Sequence, residues 1–130
     1  MEDADFSDEF CRFLQAAIPA GDAAELLLLA ADRPDVWWSP GELVERLRPK
    51  TPMTEDDARR HADVFAARGL LEAGPDGKLR YRPASEELAR HVRTLAQAYE
   101  ERPVTLVRVI YALKDAKIRT FAEAFRLRKK

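Results

Sequence analysis

A single cysteine, Cys11, in 130 residues excludes an internal disulfide. With only His61 and His91 beside it, no group of thiols and imidazoles has the spacing of a structural zinc site, so no metal is expected. Long apolar runs are scarce as well. Residues 26–31 are bounded by Asp22, Glu25, Asp32 and Arg33 and fall far short of a membrane span or a cleavable leader, which makes the cytoplasm the expected location. There is no phosphate-cradling glycine loop and no nucleophile elbow. No carboxylate pair or Ser-His-Asp set is brought together by spacing, so neither catalysis nor a cofactor is expected.

What is present is a 46% hydrophobic chain with few glycines, long enough for one globular domain with a core. The net charge of −1 hides an uneven distribution. From residue 102 onward nine Lys or Arg stand against Asp115 and Glu123, a surplus of seven, which leaves −8 on residues 1–101. Four of those cations, Arg126, Arg128, Lys129 and Lys130, would suit the negative end of a helix dipole.

Helical periodicity dominates. Phe6, Phe10, Phe13, Leu14 and Ala17 lie on one stripe of a first helix, opened by Ser7 or Asp5 and closed before Pro19. Asp22 is expected to cap a second helix, and Leu26, Leu27, Leu28 and Leu29 cover more than half its circumference, so it is expected to lie centrally. Val36, Trp37 and Trp38 suit a short strand, one tryptophan facing the core and the other outward. Ser39 and Glu42 then form a capping box around Pro40, starting a third helix with Leu43, Val44 and Leu47 inward. After the loop RPKTPM, Thr54 caps a fourth helix that Gly69 ends. In LLEAGPDGKLRYRP, Leu71, Ala73, Leu79 and Tyr81 alternate with polar residues around GPDG, the pattern of a hairpin. A long helix from Ser85 carries Leu88, Val92, Leu95, Ala96 and Tyr99, until Pro103 kinks or restarts it. Beyond Pro103, Val107, Ile110, Tyr111, Ile118, Phe121, Ala122 and Phe125 are the apolar positions.

The fold class read from this pattern is mainly α with a small β-hairpin, a single domain. The order helix, short strand, helix, helix, hairpin over residues 22–83, with GLLEAGPDGKLRYRP as its most specific stretch, resembles a winged helix-turn-helix domain. Flanking helices at 5–18 and 86–130 resemble the layout of MarR-type and ArsR-type bacterial regulators. That resemblance implies a homodimer joined through the terminal helices, with Phe6, Phe10, Phe13, Ile118, Phe121 and Phe125 as dimerisation residues, and double-stranded DNA as partner.

Residues at 100° intervals put Ala58, Ala62 and Phe65 of the fourth helix inward, with His61 and Ala66 at the margins. Asp56, Arg60, Asp63, Val64 and Ala67 face outward, beside Asp57 and Arg59. Under the DNA-binding expectation Arg59, Arg60 and Arg68 make contacts from the helix, Lys78, Arg80 and Arg82 from one face of the hairpin, and Lys50 from the preceding loop. Exposed carboxylates work against phosphate binding. Yet Glu55, Asp56 and Asp57 also occupy a first turn, where each acid stabilises a helix by roughly 0.3–1 kcal/mol. The hairpin cations have a second reading too, since edge strands carry Lys and Arg to discourage pairing with other chains. A winged-helix module that engages another protein through Val64 and Ala67 is therefore the alternative function. His61 and His91 read as packed residues, and Cys11 as a buried thiol.

Overall fold

The computed structural model describes residues 6–114. Along them run α1 (Asp8–Ala17), α2 (Gly21–Asp32), α3 (Pro40–Leu47), α4 (Glu55–Ala67), β1 (Leu71–Ala73), β2 (Leu79–Tyr81) and α5 (Glu86–Glu101). A further helical segment, α6, occupies 103–114. The expected mainly helical chain with a small hairpin is observed, while Ile118, Phe121, Ala122 and Phe125 lie outside the described residues.

Helix starts follow local chemistry. Ser7, Ser39, Thr54 and Ser85 each accept a hydrogen bond from the backbone N–H three residues on, occupying a donor the helix itself cannot use. At Ser39 and Thr54 the bond is reciprocated by Glu42 and Asp57, so α4 has a capping box that the acids of its first turn had suggested only as dipole partners. For α2 the expectation needs correction. That helix begins at Gly21, no side chain caps it, and Asp22 lies inside its first turn, 3.6 Å from His61 Nε2. In α6 the buried positions are only partly those read from the sequence. Leu106, Val109 and Ile110 are buried, whereas Tyr111, expected inward, is 45% exposed.

α2 is central. Ala23, Ala24, Leu26, Leu27 and Ala30 are buried, and the helix packs against α3, α4, α5 and β2. The core it organises includes Phe10 and Leu14 of α1, Leu43 of α3, Ala58, Ala62 and Phe65 of α4, and Val92 and Leu95 of α5. Phe6, Phe10 and Phe13 are all buried within their own chain. The Arg102 guanidinium lies 4.9 Å over the Phe6 ring, and Phe13 stacks on His91 with centroids 5.1 Å apart. The loop between α3 and α4 is tied down by Thr51, whose N–H donates to Leu47 O at 2.8 Å and whose hydroxyl donates to Glu25 Oε1 at 2.5 Å. Burial and that same Glu25 carboxylate push the Tyr99 phenol up to about 12, so one acid on α2 touches both the loop and α5.

The hairpin pairs Leu71 with Tyr81, Glu72 with Arg80 and Ala73 with Leu79, antiparallel. Gly77, with φ +75°, supplies the left-handed residue its turn needs. The short strand expected over residues 36–38 contracts to one bridge. Trp38 and Leu79 exchange both backbone hydrogen bonds at 2.7 Å, which places β2 between Trp38 and β1. Side chains alternate accordingly. Leu71, Leu79 and Trp38 are buried on the inner face, and Glu72, Lys78, Arg80 and Arg82 share the outer one. Ala73, expected inward, is exposed, although its cross-strand partner Leu79 is buried; it borders the cleft against α4.

Candidate functional site: the α4 face and the hairpin

α4 presents the face that its spacing predicts. Ala58, Ala62 and Phe65 have no exposure, His61 and Ala66 are half-buried, and Asp56, Arg59, Arg60, Asp63, Val64 and Ala67 are exposed. Val64, at 42% exposure, is the large apolar side chain on that face. The helix ends where Gly69, at φ +80°, turns the chain into β1. An added Cβ at Gly69 would lie 3.0 Å from Ala84 Cβ, so backbone conformation and space both demand glycine.

The cations of this face already hold partners. Arg59 reaches Glu55 at 3.8 Å and Arg60 pairs with Asp57, both within α4. Hydrogen bonds to the hydroxyl and backbone N–H of Thr54, with Arg60 alongside, hold the Asp57 carboxyl below its ordinary range. On the hairpin, Glu72 Oε1 lies 2.8 Å from Arg80 and 3.8 Å from Arg82. The Arg80 guanidinium also sits 4.5 Å over the Trp37 ring, a cation–π contact. Trp37 is pressed in turn against the turn backbone, since a Cβ built on Gly74 would come within 2.6 Å of Trp37 Cζ3. Trp37, Arg80 and Glu72 thus form one stacked row on the outer face of the sheet, while Trp38, its neighbour, is buried in the core.

Among the seven cations expected at a DNA interface, Arg68, Lys78 and Lys50 make no ion pair among the described residues. They are not gathered together. Arg68 follows the C-terminal end of α4 and lines a pocket with Arg12 of α1, Lys50 is exposed on the α3–α4 loop, and Lys78 is on β2's approach. A cleft of about 420 Å³ separates α4 from the hairpin, and its charged walls are Glu55, Arg59 and Asp63 on one side and Asp76 and Lys78 on the other. Three carboxylates therefore face two cations in the place where helix and hairpin could grip a ligand together. The backbone N–H of Ser39 chiefly, and the Lys78 charge, also hold Glu42 of α3 below the ordinary carboxylate range nearby.

The sequence reading missed two contacts. Glu72 and Arg80 are equidistant from Asp76, and counting outward from the turn would have paired them. The stacking of Trp37 on Arg80 has no such signal, because it depends on a strand contact between residues far apart in sequence, Trp38 and Leu79. The histidines are packed as expected, but with different partners: His61 faces Asp22, and His91 stacks on Phe13 and lies 4.0 Å from Glu87. Cys11 is half-buried. Among the described residues no cluster of His, Cys, Asp or Glu could hold a metal ion, and no single helix is long and apolar enough to cross a membrane. Comparison with known proteins gives no match to a family model, to a curated protein or to a solved structure.

Proposed function

We propose that this chain is a winged-helix module that recognises another protein through the exposed face of α4 and the cleft beside the hairpin. Element order supports the winged-helix part of the reading: α2, the Trp38 bridge, α3, α4, then β1 and β2, with β2 in the middle of the small sheet. One observation carries the functional part. The α4 face sets an exposed Val64 among two arginines paired within the helix and the exposed carboxylates of Asp56 and Asp63, and the adjoining cleft has more carboxylates than cations. Duplex DNA draws most of its non-specific affinity from cations that displace counterions, and a face with more acids than bases supplies few. An apolar centre with a charged rim is the anatomy of a protein interface. Affinity capture with the full chain tests the reading: Val64→Glu is expected to abolish recovery of a bound protein, and unchanged recovery would overturn it.

A second reading has its own support. Arg68, Lys78 and Lys50 make no ion pair among the described residues, and exposed ion pairs such as Arg59–Glu55 are worth only ~0–1 kcal/mol, so phosphates could compete for their arginines. On this reading the chain is a homodimeric, cytoplasmic DNA-binding regulator. It requires binding to duplex DNA that weakens steeply with salt, and a loss of that binding in the Arg80→Ala, Arg82→Ala double variant. Salt-insensitive binding, or an unaffected double variant, rejects it.

A further inference from the structure

We infer that the outer face of the hairpin is a carboxylate-recognition site, shaped for an acidic segment of a partner protein and occupied at rest by the chain's own Glu72. The ligand's source rests on the protein-recognition reading above, but the site lies on the sheet rather than on α4. Its chemistry is already displayed. Two guanidiniums, Arg80 at 2.8 Å and Arg82 at 3.8 Å, converge on the same oxygen of one carboxylate. Arg80 is held in place by the Trp37 ring beneath it, and Trp37 by the Gly74 backbone, so the receiving geometry is set before any ligand arrives. Lys78 follows two residues from Arg80, toward the turn, at the edge where the outer face meets the cleft beside α4.

Glu72 fills this site imperfectly. It is the cross-strand partner of Arg80, so its Cα is fixed by the ladder, and both ion pairs use Oε1. A guanidinium binds a carboxylate best through two parallel hydrogen bonds, a fork that needs a carboxylate able to turn in plane. A carboxylate from outside is not tethered to β1 and can take that geometry. Access is from the Arg82 side, where that side chain is 67% exposed and Glu72 41%, while Arg80, at 27%, lies deeper against Trp37. A peptide with successive acids would place one carboxylate between Arg80 and Arg82 and a second near Lys78.

The experiment uses the full chain and fluorescently labelled hexaglutamate as probe, with binding read by anisotropy and by the tryptophan emission. Glu72→Gln removes the internal competitor and is expected to tighten hexaglutamate binding roughly fivefold. Glu72→Asp, whose shorter side chain reaches the arginines less well, falls between. Arg82→Ala, at an exposed position, weakens binding in every background. Equal or weaker binding by both Glu72 variants, or indifference to Arg82→Ala, overturns the inference. Binding of duplex DNA or inorganic phosphate in preference to hexaglutamate overturns the assignment to a peptide carboxylate. The two readings fail separately. Val64→Glu leaves hexaglutamate binding intact if the hairpin site is real, whatever becomes of partner capture through α4.

Discussion

Two glycines in the same hairpin have different reasons to be glycine. At Gly74 the constraint is space: a methyl group would meet Trp37 at 2.6, 2.9 and 3.3 Å, and Trp37 also carries the Arg80 guanidinium over its ring. At Gly77 it is backbone conformation, φ +75°, with open space around the site. Gly74→Ala should therefore move the tryptophan and cost about 1–3 kcal/mol, the usual penalty for forcing an extra carbon into packed surroundings. Gly77→Ala should cost about 1–2 kcal/mol for a left-handed alanine and leave the tryptophan where it is. Urea denaturation gives both stabilities, and native-state tryptophan emission separates the mechanisms, shifting for Gly74→Ala but not for Gly77→Ala. An emission change in both would mean that Trp37 senses the turn as a whole.

At the scale of the element, α3 and α4 share a design in which a hydroxyl caps the helix and an acid three residues on returns the bond. Both acids are more acidic in the fold than their ordinary values, 4.5 for Glu42 and 3.8 for Asp57. A depressed carboxylate stabilises the fold fully above its unfolded pKa, and that contribution is lost as pH falls through the folded one. Stability should accordingly decline below pH 4.5 for the Glu42 contribution and below pH 3.8 for that of Asp57. Glu42→Gln and Asp57→Asn should flatten the decline, measured as the urea midpoint across acid pH. An unchanged slope in the double variant would remove the boxes from the account. The same bonds explain one of the three acids that open α4. Asp57 serves the helix start and Arg60, and Glu55 pairs with Arg59, while Asp56 adds only to the favourable charge of the first turn.

For the molecule as a whole, the question is what the aromatic stripe of α1 is for. Phe6, Phe10 and Phe13 resemble a seam awaiting a partner when read as a pattern, but in the folded chain they are covered by α5 and by Arg102. Phe10→Ala should then cost about 3–5 kcal/mol, as for a core phenylalanine, with a melting midpoint lowered equally at low and high protein concentration. A loss that grows on dilution, with a shift in sedimentation from dimer to monomer, would return the stripe to an interface. Exposed apolar surface lies elsewhere, at Val104 and Tyr111 of α6, 69% and 45% exposed, and at Val64 of α4.

Element identity was available from the chain itself, because caps, turn glycines and apolar spacing are local: Ser39, Thr54, Ser85 and Gly69 sit where those rules put helix ends. The inward and outward faces of α4 followed from the same periodicity. Partners were another matter. That Arg80 would lie on Trp37, that Glu72 would occupy two arginines, and that Phe10 would meet His91 of α5 all depend on which surfaces the packed elements bring together. An apolar stripe or a row of cations has the same spacing whether its complement comes from the same chain or another. Periodicity fixes the direction of a side chain, and only packing supplies what it meets.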